Sequence, residues 1–397
     1  MVEERGFKKT LRDIYNLLKS GEDSAGRVSF NTAFGDKITV ERHADIEEQF
    51  HYNVNTETLT TTTANSGAAS VENDMLKLSS STNTAGSVKV TTKHIIRYRP
   101  GFEGYALFTA LWENEGVATS VQHIGPTGDN DGYYIGYTNT NFVVGRRAGG
   151  TDTEVVEANF NGGDISGMDK TKLNIFRITW GWLGTATITF EWKSQTGWVI
   201  MHQMLLENSL TQPHANNPVL PIQAEITKTA GATDIIMRSG SWNGGMMGED
   251  KGAGDRFFLA HVDAAAVSTQ QVLFSLENQA TFQSKTNRVE VEMILINAAT
   301  DGTKSVELAF YRNLAITSPS WTNINATNSV MRIDTAGTVT PNTANLEFEF
   351  GLAKVDSILL NSEKLGLIME PGDTYTITGA SAANNDIHLA VRWKEHF

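Results

Sequence analysis

The sequence predicts an all-β chain: two consecutive β-sandwich or jelly-roll domains behind a short N-terminal amphipathic helix. Short apolar runs follow one another at close spacing, some alternating with period two and some apolar on both sides. Turn residues separate them, with 35 Gly and 8 Pro distributed along 397 residues. Helical period is clear only near the N-terminus. The divisions are read as 1–26 for the helix and its linker, 27–255 for the first β domain and 256–397 for the second.

Phe7, Leu11, Ile14, Tyr15 and Leu18 recur at i, i+4, i+7, i+8 and i+11, with Lys8, Lys9, Arg12 and Lys19 on the wetter sides. So short a helix is marginal alone because its nucleus is costly, and its stripe has to be buried. It docks either on its own domain or, as an assembly anchor, on a neighbouring subunit. Membrane insertion is not expected of it.

Strand signals follow at 38–42, 51–62, 74–78, 88–99, 105–112, 117–124, 133–137 and 142–147, then at 173–182, 185–193, 198–205, 219–229 and 234–241. The stretch 93–112 reads as strand, turn, strand. His94, Ile96 and Tyr98 alternate with Lys93, Ile95, Arg97 and Arg99, and Pro100-Gly101 breaks the run. Tyr105 to Trp112 is apolar on both sides, the mark of an inner strand. The tract Thr58 to Thr63 packs little beyond Leu59 and suits an exposed edge.

Residues 243–255 are Gly-rich and aperiodic, the best interdomain boundary, and 257–275 carries no clear assignment. Beyond it Val289, Val291, Met293 and Leu295 alternate, Asp301-Gly302 is expected to turn a hairpin, and Val306, Leu308 and Phe310 return. The last strand alternates Ile387, Leu389, Val391 and Trp393 against polar neighbours.

A net charge of −13 disfavours a surface built to neutralise phosphates, so no nucleic-acid partner is expected. With no Cys there is neither disulfide framework nor thiolate metal site. No apolar run is long enough to span a bilayer, and no secretory leader is apparent. Gly-x-Ser-x-Gly, P-loop and His-Glu-x-x-His patterns are absent, and no cofactor is expected.

Several constellations remain. Arg97, Arg99, Arg146 and Arg147 offer planar forks for a partner's carboxylates, or for internal ones. Among the tryptophans, Trp180, Trp182 and Trp192 are expected in the core, leaving Trp198 and Trp242 as candidates for stacking on a ligand. The turn Asp129-Asn130-Asp131-Gly132 offers oxygens to Ca²⁺, although an Asp-Gly hairpin explains it without a metal. Glu113 and Glu115, at about 7 Å on one strand face, meet the spacing of a glycosidase pair, but no further His or Arg joins them.

The runs RYRPGFEGYALFTALW and IGPTGDNDGYYIGYTNTNFVVGRR resemble a group of virion structural proteins of tailed phages and large double-stranded DNA viruses. In that group an R-Y-R-P-G turn precedes an apolar strand and a D-G-Y/F-x-x-G-Y hairpin ending in R-R. The segment from LEFEFGLAKVDSILL to the C-terminal HLAVRWKEHF is similar to a module that ends such proteins. The resemblance implies a virion component assembled in the host cytoplasm and working by binding, not catalysis. The expected role is an exterior appendage, such as a tail fibre, spike or adhesin meeting a host receptor or glycan. Homo-oligomeric assembly is expected, a trimer favoured, with other virion proteins held through the N-terminal helix. The alternatives are a capsid decoration or vertex protein and, at less weight, a carbohydrate-active enzyme.

Overall fold

The computed structural model describes residues 42–248 and 254–397, apart from two side chains at 363 and 364. Phe7, Leu11, Ile14, Tyr15 and Leu18 lie outside them. The described chain is all-β, with two single-turn 3-10 segments, and it forms two compact units, Met1–Asp250 and Lys251–Phe397.

The first unit is a sandwich of two antiparallel sheets. One runs in the order Trp198–Met204, Ile188–Lys193, Asn174–Gly181, Glu103–Trp112, Ile236–Ser239, Met75–Ser79, Ala68–Glu72. Glu103–Trp112 is an inner strand, as its two-sided apolar pattern predicts. It pairs along one side with Asn174–Gly181, and along the other with Ser241–Met247 and then Ile236–Ser239. Arg42–Gln49 adds outside Ser241–Met247.

The opposing sheet runs Thr151–Val156, Asn141–Ala148, Gly132–Thr138, Ser120–Pro126, Ile222–Lys228, Ser87–Thr92, Leu59–Ala64. The Thr-rich strand is its edge, as expected from a run with almost nothing to pack. Trp112 sits at the centre of the core, edge-on to Tyr137, Phe142 and Phe176 at 5.8, 5.5 and 5.8 Å. Burying a large apolar side chain stabilises by about 1.5–3 kcal/mol, so rings like these dominate the energetics.

Residues 93–99 are not a strand. The strand before them ends at Thr92, and Ile96 makes only an isolated bridge to Leu220. The reason is visible in burial: consecutive Ile95 and Ile96 both point into protein, which strict alternation forbids. The Pro100-Gly101 turn does form, with Gly101 at φ 89° and the Phe102 amide donating to Arg99 O at 3.0 Å.

The second unit has a sheet ordered Arg256–Val267, Asn385–His396, Glu290–Thr300, Asp356–Asn361, with Ile368–Met369 also on Glu290–Thr300. Facing it is Thr322–Asn323, Met331–Asp334, Gln271–Asn278, Thr374–Ser381, Val306–Arg312, Leu346–Leu352. One unassigned stretch resolves here and one expectation fails. The unassigned stretch 257–275 supplies two strands, Arg256–Val267 and Gln271–Asn278, whose period is blurred because Phe257 and Leu259 are apolar yet exposed. Asp301-Gly302 turns no hairpin: Glu290–Thr300 pairs with the last strand and Val306–Arg312 with Thr374–Ser381, so the chain crosses between sheets there.

Candidate functional site

The outer face of the seven-stranded sheet gathers a connected set of charged and polar side chains. Register explains how. Glu154 opposes Gly145 and Asp152 opposes Arg147; Gly145 in turn opposes Tyr134, and Gly136 opposes His123, which opposes Glu225. Period-two alternation puts all of these on the face away from the core.

Glycines make the room. A Cβ on Gly145 would lie 2.3 Å from Cζ of Tyr134, so the tyrosine ring lies across a bare backbone. Gly136 (φ 156°) takes a backbone conformation that L-residues rarely adopt, and a Cβ there would strike the Gln122 carbonyl. The imidazole of His123 then stacks on Tyr134 at 4.0 Å.

The hydrogen bonds fix one direction of donation. Glu154 Oε1 accepts from the Tyr134 hydroxyl at 2.9 Å and from the Thr138 hydroxyl at 2.6 Å. The Thr138 hydrogen is thereby used, so His123 Nε2–H donates to Thr138 Oγ1 at 2.9 Å. The other ring nitrogen, Nδ1, faces Glu225 Oε1 at 3.8 Å. Arg147 spans the cluster, pairing with Asp152 at 2.7 Å and Glu225 at 3.4 Å and donating to Gly128 O at 3.0 Å.

Burial alone would raise the Glu225 carboxyl, but hydrogen bonds and charge from His123 and Arg147 reverse this and hold it below the usual range. Burial and the Glu154 charge push the Tyr134 phenol up, keeping it a neutral donor. The face therefore holds an ionised acceptor, Glu225, beside the Arg147 guanidinium and the neutral Tyr134 phenol.

The residues singled out from sequence do not converge on one place. Arg147 belongs to this cluster. Arg146, the next residue, points the other way and donates to His214 O at 3.2 Å. Arg97 and Arg99 share no strand face, because no strand forms there; Arg99 is 6% exposed, and the Arg97 amide donates to Asp45 at 3.0 Å. Trp242 is corrected from ligand platform to core: it is 1% exposed and edge-on to Phe50 at 5.1 Å. Trp198 is half-buried, with the Arg177 guanidinium 4.4 Å from its ring centre.

Glu113 and Glu115 each have a partner of their own. Glu113 is bound by Arg238, and Glu115 hydrogen-bonds the Tyr137 phenol. In the acidic turn, Asp129 pairs with Lys89 at 2.6 Å, while Asp131 Oδ1 accepts the Asn216 and Gly149 amides at 2.6 and 3.2 Å. Amide N–H groups pointing at Asp131 are the reverse of what a cation ligand needs. Sequence reasoning missed His123, Tyr134, Glu154 and Glu225. The only local signal was Gly-Tyr-Tyr-x-Gly, whose glycines clear the face on which Tyr134 lies.

No protein-family model matches the chain, and no curated protein matches it. Among solved structures, a glycosyl hydrolase family protein from Mycobacterium fortuitum is similar over 51% of this chain and 99% of its own, at 10% identity and a TM-score of 0.36. Bacillus licheniformis β-glucanase matches over 53% of this chain and 100% of its own, at 11% identity and TM-score 0.34. A seed lectin of Lotus tetragonolobus matches over 52% and 100%, at 10% identity and TM-score 0.34. Likenesses this weak carry no argument about activity.

Proposed function

We propose that this protein is a virion structural component that works by binding and assembly, not catalysis. Its role is an exterior appendage of the tail-fibre, spike or adhesin kind, built from consecutive sandwich or jelly-roll modules and meeting a host receptor or surface glycan. The observation that supports binding is the state of the outer-face cluster. Glycoside hydrolysis needs one carboxyl kept protonated to protonate the leaving oxygen. Here Glu225 is held in the opposite direction, and Glu154 spends Oε1 on two hydroxyl donors. Tyr134 and His123 are buried beneath the rim that Glu154, Glu225 and Arg147 form, and those partly exposed charged groups suit the hydroxyls of a saccharide.

Two measurements test this. Gold-labelled antibody on intact particles should decorate the exterior. The purified chain should bind host cells or their surface polysaccharide without cleaving it, and Glu154→Gln should weaken that binding while the melting transition stays in place. Release of reducing ends from the polysaccharide, or particles that carry none of the protein, would overturn the reading. A capsid-bound decoration protein is the second reading, favoured by the edge strand Arg256–Val267 of the second unit, whose outer side no strand among the described residues pairs, which suits contact between copies.

A further inference from the structure

The strand Arg256–Val267 is an outer edge of its sheet: it pairs with Asn385–His396 on one side, and no strand among the described residues pairs with the other. Proteins normally blunt such an edge with proline, central lysines or an early bulge. This one runs in regular register from Arg256↔Glu395 to Ala264↔Ile387 before a bulge ends it, where Ala266 sits at φ 56° and its amide is taken by Asp386. Along the regular part the outward side chains Phe257 and Leu259 are 51% and 56% exposed, and the inward Phe258 and Val262 are only half-covered.

We propose that this edge is where two copies of the chain meet, pairing antiparallel about a two-fold axis to continue the sheet across both. The occupant is a second copy because the edge matches itself when reversed. On the outward face of its first half Arg392 stands beside Leu259 and Lys394 beside Phe257, Lys394 sharing its charge with Glu292 at 2.8 Å. Its second half is acidic, with Asp263, Asp301 and Asp386 around His388. Antiparallel pairing lays each acidic half on a basic one, twice, whereas a parallel partner would oppose like charges.

The same reasoning fixes the register. An axis normal to the sheet keeps each side chain on its own face, so the axis can move only by whole residues. Centred on His261 it would put histidine on histidine, and centred on Leu259 it would set the inward Val262 against Arg256. Centred on Ala260 it sets Leu259 against His261 and Phe258 against Val262, so the half-covered inner side chains complete one another's cover. The contact closes at two copies, a dimer, where the sequence reading favours a trimer.

Light scattering on the full chain should give twice the monomer mass, and Leu259→Lys should give the monomer with an unchanged circular dichroism spectrum, since Leu259 packs on no core. The chain has 0 Cys, so cross-links report only introduced ones. Leu259→Cys with His261→Cys should form disulfide-linked dimers on mild oxidation, and either single substitution should not. A monomeric wild type, a Leu259→Lys variant that stays dimeric, or a double variant that does not cross-link would overturn the proposal.

Discussion

Arg177 and Glu191 stand directly opposite each other on neighbouring strands and form a two-pronged ion pair, Nε to Oε2 at 2.5 Å and Nη2 to Oε1 at 2.7 Å. They are 2% and 5% exposed, so neither charge has water to fall back on. Removing one partner leaves the other charge buried and uncompensated, at a cost of about 3–5 kcal/mol. Arg177→Ala should lower the denaturant midpoint accordingly. Replacing both residues with methionine should recover most of the loss.

A pH effect follows from His214. Its Nε2–H donates to the Gly181 carbonyl at 3.1 Å, so its bare Nδ1 accepts the Tyr133 hydroxyl at 2.9 Å. Burial, aided by the Arg146 charge, lowers its pKa from 6.5 to about 4. The unfolded chain therefore binds the proton first. The stability this residue contributes is complete above pH 6.5 and falls as pH drops towards 4, by up to about 3 kcal/mol. Melting temperatures between pH 7 and 4.5 should show the decline, ahead of carboxylate protonation, and His214→Gln should flatten it.

The acidic turn should respond unevenly. Asp131→Ala deprives two amides of a charged acceptor in a buried place and should cost about 1.5–3 kcal/mol. Asp129 is exposed and holds only Lys89, so Asp129→Ala should cost less than about 1 kcal/mol. Because the turn is wired by protein donors, EDTA should move the melting temperature little. A fall of more than about 5 °C would reveal a structural cation.

Gly145→Ala tests the outer face. The new methyl would lie 2.3 Å from the Tyr134 ring, which must lift off and abandon His123 and Glu154. Overpacking of this kind costs about 1–3 kcal/mol. Near-ultraviolet circular dichroism should report the displaced tyrosine. Ligand binding should fall further than stability, because the array is broken while the core is intact.

Much of the fold could be read locally. The inner strand ending at Trp112, the threonine edge and the Asp131-Gly132 turn each carry their signal within a few residues. What failed was long-range. Val289 to Leu295 and Val306 to Phe310 look like two arms of a hairpin, and nothing local says that their partners are the last strand and Thr374–Ser381. The site was legible only as Arg147. Its partners Asp152 and Glu225 come from strands 5 and 78 positions away, and pairing over the longer of those distances depends on sheet register.

In each unit the first and last described strands pair with each other. In the first, Arg42 pairs with Met247; in the second, Arg256 pairs with Glu395, both antiparallel. A pull applied at Arg42 and Met247, or at Arg256 and Glu395, thus opens that ladder one rung at a time, like a zipper, instead of shearing all rungs together. Under tension each unit should yield gradually from that ladder at low force, as a shock absorber does, and close again when slack returns. A single-molecule pulling trace should show that compliance.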